Sequence, residues 1–296
     1  MAPGFRPSVV KRTAELVTAR TQQVLDRLPD GPFDAVEALA VPLPLLLIAD
    51  VLGVPEADLD RFFEWSEAAI PGANDLAPEE QQRLMEECWG YLLDQCAQRR
   101  EHPGEDMISV LVHTHLDGRR LSDDELGMFL NQLLIAGNET TRNAISGGLE
   151  AFADAPDQWD RLVGEPDVVD RAVEEILRWT TPVISFLRTA TEDTELAGQP
   201  IPAGDPLLLL YQSANRDRDE FGPTADRFDV GRWPNHHLAF GFGPHFCIGA
   251  ALARIELATL LRAVVARGWR PRAHGESVRT ASPVIAGLSS LPLSFA

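Results

Sequence analysis

Cysteine is scarce in this chain: Cys88, Cys96 and Cys247 are the only three in 296 residues. That excludes a disulfide framework. Positive charge is also thin. Lys and Arg total 26 against 45 Asp and Glu, a formal net charge of −19. Nucleic acid and anionic membranes are poor partners for such a surface, because phosphate contacts need clustered Lys and Arg. Long apolar runs are missing too. The longest, VPLPLLLIADVLGV, is broken by prolines and an aspartate and falls short of the about 20 residues a spanning helix takes. The opening MAPGFRPSVV has a basic residue but no apolar segment behind it, so no secretory signal is read. These absences point to a cytoplasmic protein with no membrane span. At 45% hydrophobic residues, the chain can bury one large core or two smaller ones.

Helical patterning dominates the first two thirds. Segments 7–28, 34–53, 56–69 and 78–100 read as helices, with a Pro-Gly-Asn turn over 71–74. Cys88 and Cys96 fall in the last of these as packing residues. The run from Leu121 to Pro156 predicts the longest helix, about 30 residues or roughly 45 Å. Ser122 and Glu125 supply its capping box and Pro156 lies just past its end. A helix over 168–179 stops before Pro182. Residues 184–212 then predict short strands, and 213–246 a long loop of the kind that tends to be functional. A helix from Ile248 to about Arg267 and a closing hairpin complete a mainly α chain with a minor β part.

The third cysteine stands apart from the other two. Cys247 sits in FGFGPHFCIG, at the start of a helix and between Gly243 and Gly249. A helix N-terminus stabilises a thiolate, and the glycines let backbone N–H groups approach the sulfur. Phe240, Phe242 and Phe246 provide apolar cover. A zinc site fits poorly, since Cys247 and His245 have no partner pair at finger spacing. A structural cysteine is the other reading of these residues. Elsewhere, Gly137 in mid-helix costs about 1 kcal/mol against Ala, and Thr140 can bond back to the carbonyl of Ala136 and bend the helix.

The pattern F240-x-x-G243-x-x-x-C247-x-G249 resembles the haem-binding loop of the cytochrome P450 family. The resemblance implies haem b held by the Cys247 thiolate, with loop residues Phe240, Gly243 and Gly249 around the cofactor and Ala136 and Gly137 beside it. It implies that AGNETT, residues 136–141, carries an acid–alcohol pair, Glu139 relaying protons and Thr140 steadying the oxygen. It implies that Glu175 and Arg178 form a structural E-x-x-R pair that locks to Arg227 or Arg232. It also implies that Arg188 and His245 hold the haem propionates. By matching positions the substrate pocket takes Leu134, Ile135 and Ala136, then Val183, Ile184 and Phe186, then Val284, Ile285 and Ala286, all apolar.

The function implied is monooxygenation. One atom of O2 enters a C–H bond of a hydrophobic substrate (steroid, terpenoid or fatty-acid-like). Electrons come from a ferredoxin and ferredoxin reductase, the ferredoxin docking near Cys247, where Arg254 offers positive charge. A peroxygenase using H2O2 and a catalytically silent fragment are the alternatives. The resemblance runs from about Phe5 to the end, as one domain, 1–296, without the family's N-terminal portion; pocket closure and haem affinity are expected to depend on that portion.

Overall fold

The structure is a computed structural model that describes residues 7–70 and 76–296, and side chains from residue 13 onward. The expected turn at 71–74 and the start around Phe5 lie outside the described residues. Eleven α-helices occur among the described residues: α1 (Pro7–Leu25), α2 (Pro42–Leu52), α3 (Leu59–Ala68), α4 (Pro78–Glu101), α5 (Met107–His113), α6 (Asp123–Asp154), α7 (Pro156–Gly164), α8 (Val169–Thr180), α9 (Tyr211–Ala214), α10 (Arg218–Phe221) and α11 (Ala250–Ala266). The strands are short: β1 (Phe33–Asp34), β2 (His115–Leu116), β3 (Arg119–Arg120), β4 (Ser185–Thr189), β5 (Thr194–Leu196), β6 (Gln199–Ile201), β7 (Pro206–Leu210), β8 (Pro271–Ala273), β9 (Val278–Arg279), β10 (Leu288–Ser290) and β11 (Pro292–Phe295). The fold is mainly α with a minor β part, as the periodicity predicts.

Helix α6 organises the molecule. Its capping box forms in both directions: Glu125 N donates to Ser122 Oγ at 3.2 Å and Ser122 N to the Glu125 carboxylate at 2.8 Å. Leu126, Leu130 and Leu134, four residues apart, bury one stripe against α2, α3, α4 and α5. Ala144, Ile145, Leu149 and Phe152 bury the other end against α1, α8 and α11. Each fully buried Leu, Ile or Phe contributes about 1.5–3 kcal/mol. Between these apolar halves the helix is polar and yet buried, at Asn138, Glu139, Thr141, Arg142 and Asn143. Helix α8 docks on α6 with Val169, Ala172, Val173, Ile176 and Leu177 inward, the i, i+3, i+4, i+7, i+8 stripe of an amphipathic helix. Cys88 and Cys96 are fully buried in α4, and burial pushes their thiols up to about 12 and about 11.

Three expectations change. The apolar segment 34–53 is two pieces, a π-helical turn over Val36–Ala40 and then α2, because Pro42 brings no N–H and opens a new helix at its first turn. The C-terminus is no self-paired hairpin. β10 pairs with β9, while β11 is the centre of a sheet ordered β1-β11-β8, all antiparallel. The cause lies at the other end of the chain: Ala35 N donates to Leu291 O at 2.8 Å, and Ser290 Oγ donates to Asp34 at 2.6 Å, drawing the strand to β1. Pro156 both follows α6 and starts α7, a helix the sequence reading passes over, as it does α5 and the β2–β3 hairpin.

Candidate active site

The loop from Leu238 to Gly249 is closed by its own backbone. Leu238 N donates to Asn215 Oδ1 at 2.7 Å, Gly241 N to Leu238 O at 2.9 Å and Cys247 N to Phe240 O at 2.9 Å. Gly241 and Gly243 take φ of 73° and 70°, conformations that side chains with a Cβ resist. Cys247 is exposed at the surface of this loop. The protein mass behind the sulfur raises the thiol, while the N–H groups of Gly249 and Ala250 and the charge of Arg254 act the other way. The net direction is up. The helix start and its amides therefore do not ionise the thiol by themselves; a coordinated metal does that outright.

Around the sulfur the loop is apolar and open: Phe242 is 82% exposed, Ile248 65% and Phe246 53%. The β4–β7 ribbon continues this character with exposed Phe186, Leu187, Leu208 and Leu210. Tyr211 joins the two. Its ring lies 5.4 Å from Phe186 and its hydroxyl sits beside Gly241. Arg188 lies over the Phe186 ring at 5.7 Å and bonds the Leu187 carbonyl. Neither Arg188 nor His245 has a carboxylate partner among the described residues.

Behind the loop is a fully buried charge cluster. Glu175 and Arg178 on α8 pair at 2.7 Å, both at 0% exposure. Arg178 also donates to the carbonyls of Asn215, Ala225 and Arg227, each at 2.8 Å. Of the two arginines named as partners, Arg232 brings its guanidinium, Nε to Glu175 at 3.1 Å, while Arg227 supplies only its carbonyl. A second network carries the loop itself. Arg254 pairs with Glu174 at 2.6 Å, sits 4.6 Å over the Phe240 ring, and Glu174 also meets His237 at 3.0 Å. Burial would raise the Glu174 carboxyl, but Arg254 and His237 hold it at about 2. Arg254 is thus paired with Glu174, with 39% of its side chain still exposed. No sequence signal distinguishes Glu174 from its neighbour.

On α6, Ala136 is exposed and Thr140 half-buried, with Thr140 Oγ1 donating to Ala136 O at 2.7 Å. Gly137 faces Ile48 of α2, where a Cβ would come within 3.1 Å. Glu139 is not brought together with Thr140. Its carboxyl is 1% exposed and bonds Arg142 at 2.6 Å and Asn143 at 2.9 Å. Burial raises that carboxyl against the pull of Arg142. Leu134 does not line a pocket: it is fully buried in the core beside Leu130, because it falls on the stripe that Leu126 begins. Ile135 is half-buried and in neither core stripe. Val183 bridges to Ile285, Ile184 N donates to Val284 O at 2.8 Å and Ala286 N to Pro182 O at 3.0 Å, so these apolar residues do share one place.

Comparison with known proteins fits this geometry. Residues 46–267 match the sequence profile of cytochrome P450. A steroid C26-monooxygenase of Mycobacterium tuberculosis is 39% identical over 300 aligned positions, covering 99% of this chain and 80% of the relative. A methyl-branched lipid omega-hydroxylase of Mycobacterium bovis is also 39% identical, covering 98% of this chain and 70% of its own length. Among solved structures, a Mycobacterium marinum cytochrome P450 in complex with pseudoionone superposes with a TM-score of 0.92 at 34% identity, covering 99% of this chain and 72% of that one. A Bacillus megaterium P450 in complex with testosterone gives 0.89 at 34%, covering 98% and 80%. The chain belongs to the cytochrome P450 family. It is a monooxygenase whose cofactor is haem b.

The residues present fit that cofactor. Among the described residues no three His, Cys, Asp or Glu side chains gather to hold a bare metal ion, and Cys247 offers one sulfur on an open apolar face, which suits a flat apolar macrocycle that brings its own four nitrogens. No helix among the described residues is long and apolar enough to cross a membrane.

Proposed function

We propose that the chain hydroxylates an unactivated C–H bond of a hydrophobic substrate, of steroid, terpenoid or branched-lipid type, and that the Cys247 thiolate would hold the haem iron. The observation that carries the reading is the Cys247 sulfur, exposed on an apolar, glycine-flanked loop just ahead of α11. Haem b supplies dioxygen activation when bound. The chain's own residues do the rest. Cys247 gives its thiolate, and the amides of Gly249 and Ala250 temper its basicity without protonating it. Arg188 and His245, both lacking carboxylate partners, hold the two propionates; Phe240 keeps the loop in register between Arg254 and Phe246.

Thr140 presents its hydroxyl on the exposed side of α6 and passes a proton from Oγ1. Glu139 restores that proton once its carboxyl leaves Arg142. Ile135, Ala136, Val183, Ile184, Phe186, Val284 and Ile285 orient the substrate by apolar contact alone, which agrees with relatives whose names carry steroid and methyl-branched lipid hydroxylation. Electrons come from a separate ferredoxin and its reductase in the cytoplasm.

The test is the carbon monoxide difference spectrum of the haem-reconstituted, dithionite-reduced chain. A strongly red-shifted Soret band is expected. A band typical of imidazole- or thiol-bound haem would overturn the assignment of Cys247. Turnover with steroid and branched-lipid substrates, supplied with a bacterial ferredoxin system, then separates the substrate classes.

A further inference from the structure

A cavity of about 520 Å³ lies between α2, α3 and the β9–β10 hairpin. Its walls are largely apolar, with Val36, Leu45 and Leu46 on one side, Leu59 and Phe63 of α3 on another, and Leu288 of β10 closing the third. None of the residues proposed to orient the substrate borders it. Two polar groups on the wall are incomplete. Arg142 is 4% exposed; its Nη1 bonds Glu67 and its Nη2 bonds Glu139, both at 2.6 Å, and its Nε has no partner. Thr280 Oγ1 is buried and has none either. Buried polar groups are normally hydrogen-bonded, so an occupant is called for to complete these two. Charge narrows what it is. Glu37, Glu56, Asp60 and Glu67 line the same space against Arg27 and Arg142, and an excess of negative charge disfavours a carboxylate or phosphate. The Arg142 Nε–H is a donor that only an acceptor completes, and an ammonium has no acceptor.

We propose that this cavity is a second ligand site, for a neutral apolar molecule that carries a ketone or hydroxyl oxygen. The oxygen turns to Arg142 and Thr280, accepting from the guanidinium Nε–H and the threonine hydroxyl. The body packs on the leucines and Phe63. Small-molecule sites run from about 300 to 1,000 Å³, with mostly apolar walls and a few fixed polar groups, and this cavity has both the size and the lining. A steroid or terpenoid ketone has the required chemistry. A fatty acid does not, because its carboxylate would meet the acidic lining. The cavity is also separate from the proposed substrate pocket. Thr280 N donates to Gly287 O at 3.0 Å and closes a loop whose Val284 and Ile285 reach Ile184 and Val183. The base of that loop borders the cavity and its tip borders the pocket. The site stands on its own geometry and not on the monooxygenase reading.

The experiment is equilibrium dialysis of the haem-loaded full chain against radiolabelled testosterone, a neutral steroid with one ketone and one hydroxyl. Dialysis counts all bound steroid, while the Soret shift reports only steroid beside the haem. Wild type should bind one molecule more than the Soret shift accounts for. Leu59→Trp combined with Ser289→Trp narrows the cavity from two of its lining positions; this pair should lose the extra molecule and keep the Soret shift. Thr280→Val removes a hydroxyl at little change in volume. It should weaken the extra site about fivefold, and it tests the site if the tryptophan pair fails to fold. Lauric acid should not displace the extra molecule. Bound steroid that the Soret shift accounts for in full, or an extra molecule that survives in the tryptophan pair, overturns the site. Displacement of the extra molecule by lauric acid overturns the ligand class. Should the haem reading fail, the Soret shift is absent and dialysis still counts the extra molecule, so the two failures are told apart.

Discussion

Arg232 reaches from the segment before the Cys247 loop to Glu175 on α8, Nε to Oε2 at 3.1 Å, and shares that carboxylate with Arg178. All three side chains are buried. Removing Arg232 leaves Glu175 to Arg178 alone and strips a donor from the carbonyls of Phe221, Thr224 and Arg227; buried acceptors left unpaired are costly. We expect Arg232→Leu to cost about 3 kcal/mol and Arg227→Leu, at an exposed position that lends only its carbonyl, to stay within about 0.5 kcal/mol. Urea denaturation of the two variants decides whether side chain or backbone ties the loop to α8.

Acid should loosen the Cys247 loop through Glu174. Its ordinary value is 4.5, and Arg254 and His237 hold it at about 2 in the fold against the effect of burial. A carboxyl lowered by folding contributes stability above its unfolded value and loses it as pH falls through the folded one. Wild type should therefore lose more stability than Glu174→Gln between pH 4.5 and 2, measured by thermal melts across that range. Equal losses would mean the pair is not formed in solution.

Glu256 acts in the opposite sense. It lies buried in α11, its Oε2 has no partner, and burial pushes its carboxyl from 4.5 up to about 8. An acid raised by folding penalises the folded state as pH rises from the unfolded value to the folded one. Glu256→Gln should match wild type near pH 4 and exceed it by about 4 kcal/mol near pH 8. A constant difference at all pH values would show that Glu256 is neutralised by a partner.

Thr140→Ala deletes a hydroxyl whose bond within α6 is to Ala136 O, the helix's own backbone. Stability should change by no more than about 0.5 kcal/mol. Product formed per reducing equivalent should fall several-fold while consumption continues and peroxide appears. Peroxide and product assays on one sample measure the split; unchanged coupling would remove Thr140 from proton delivery.

Much of the architecture could be read along the chain. Ser122 with Glu125, the proline after α6 and the stripe on α8 are local signals, and they fixed where helices begin, end and turn their apolar face. The interruption at Pro42 was equally local but was masked by the apolar run around it. The pairing of β11 with β1 and β8 was not local at all, since it depends on Asp34 and Ala35 meeting residues more than 250 positions away.

The site divides the same way. Spacing alone set Cys247 in a glycine-flanked loop ahead of a helix, put Thr140 within one turn of Ala136, and placed Glu175 one turn before Arg178, because each of these relations spans a few residues of a regular backbone. Which partner each group takes was decided by the tertiary structure. Leu134 went to the core because α2 to α5 close over its stripe. Arg254 went to Glu174, Arg232 rather than Arg227 went to Glu175, and Glu139 went to Arg142, where Glu67 of α3 waits 75 residues away in sequence. Charge and hydrogen-bonding capacity belong to a residue type, but burial and competition among partners arise only when distant segments are packed together.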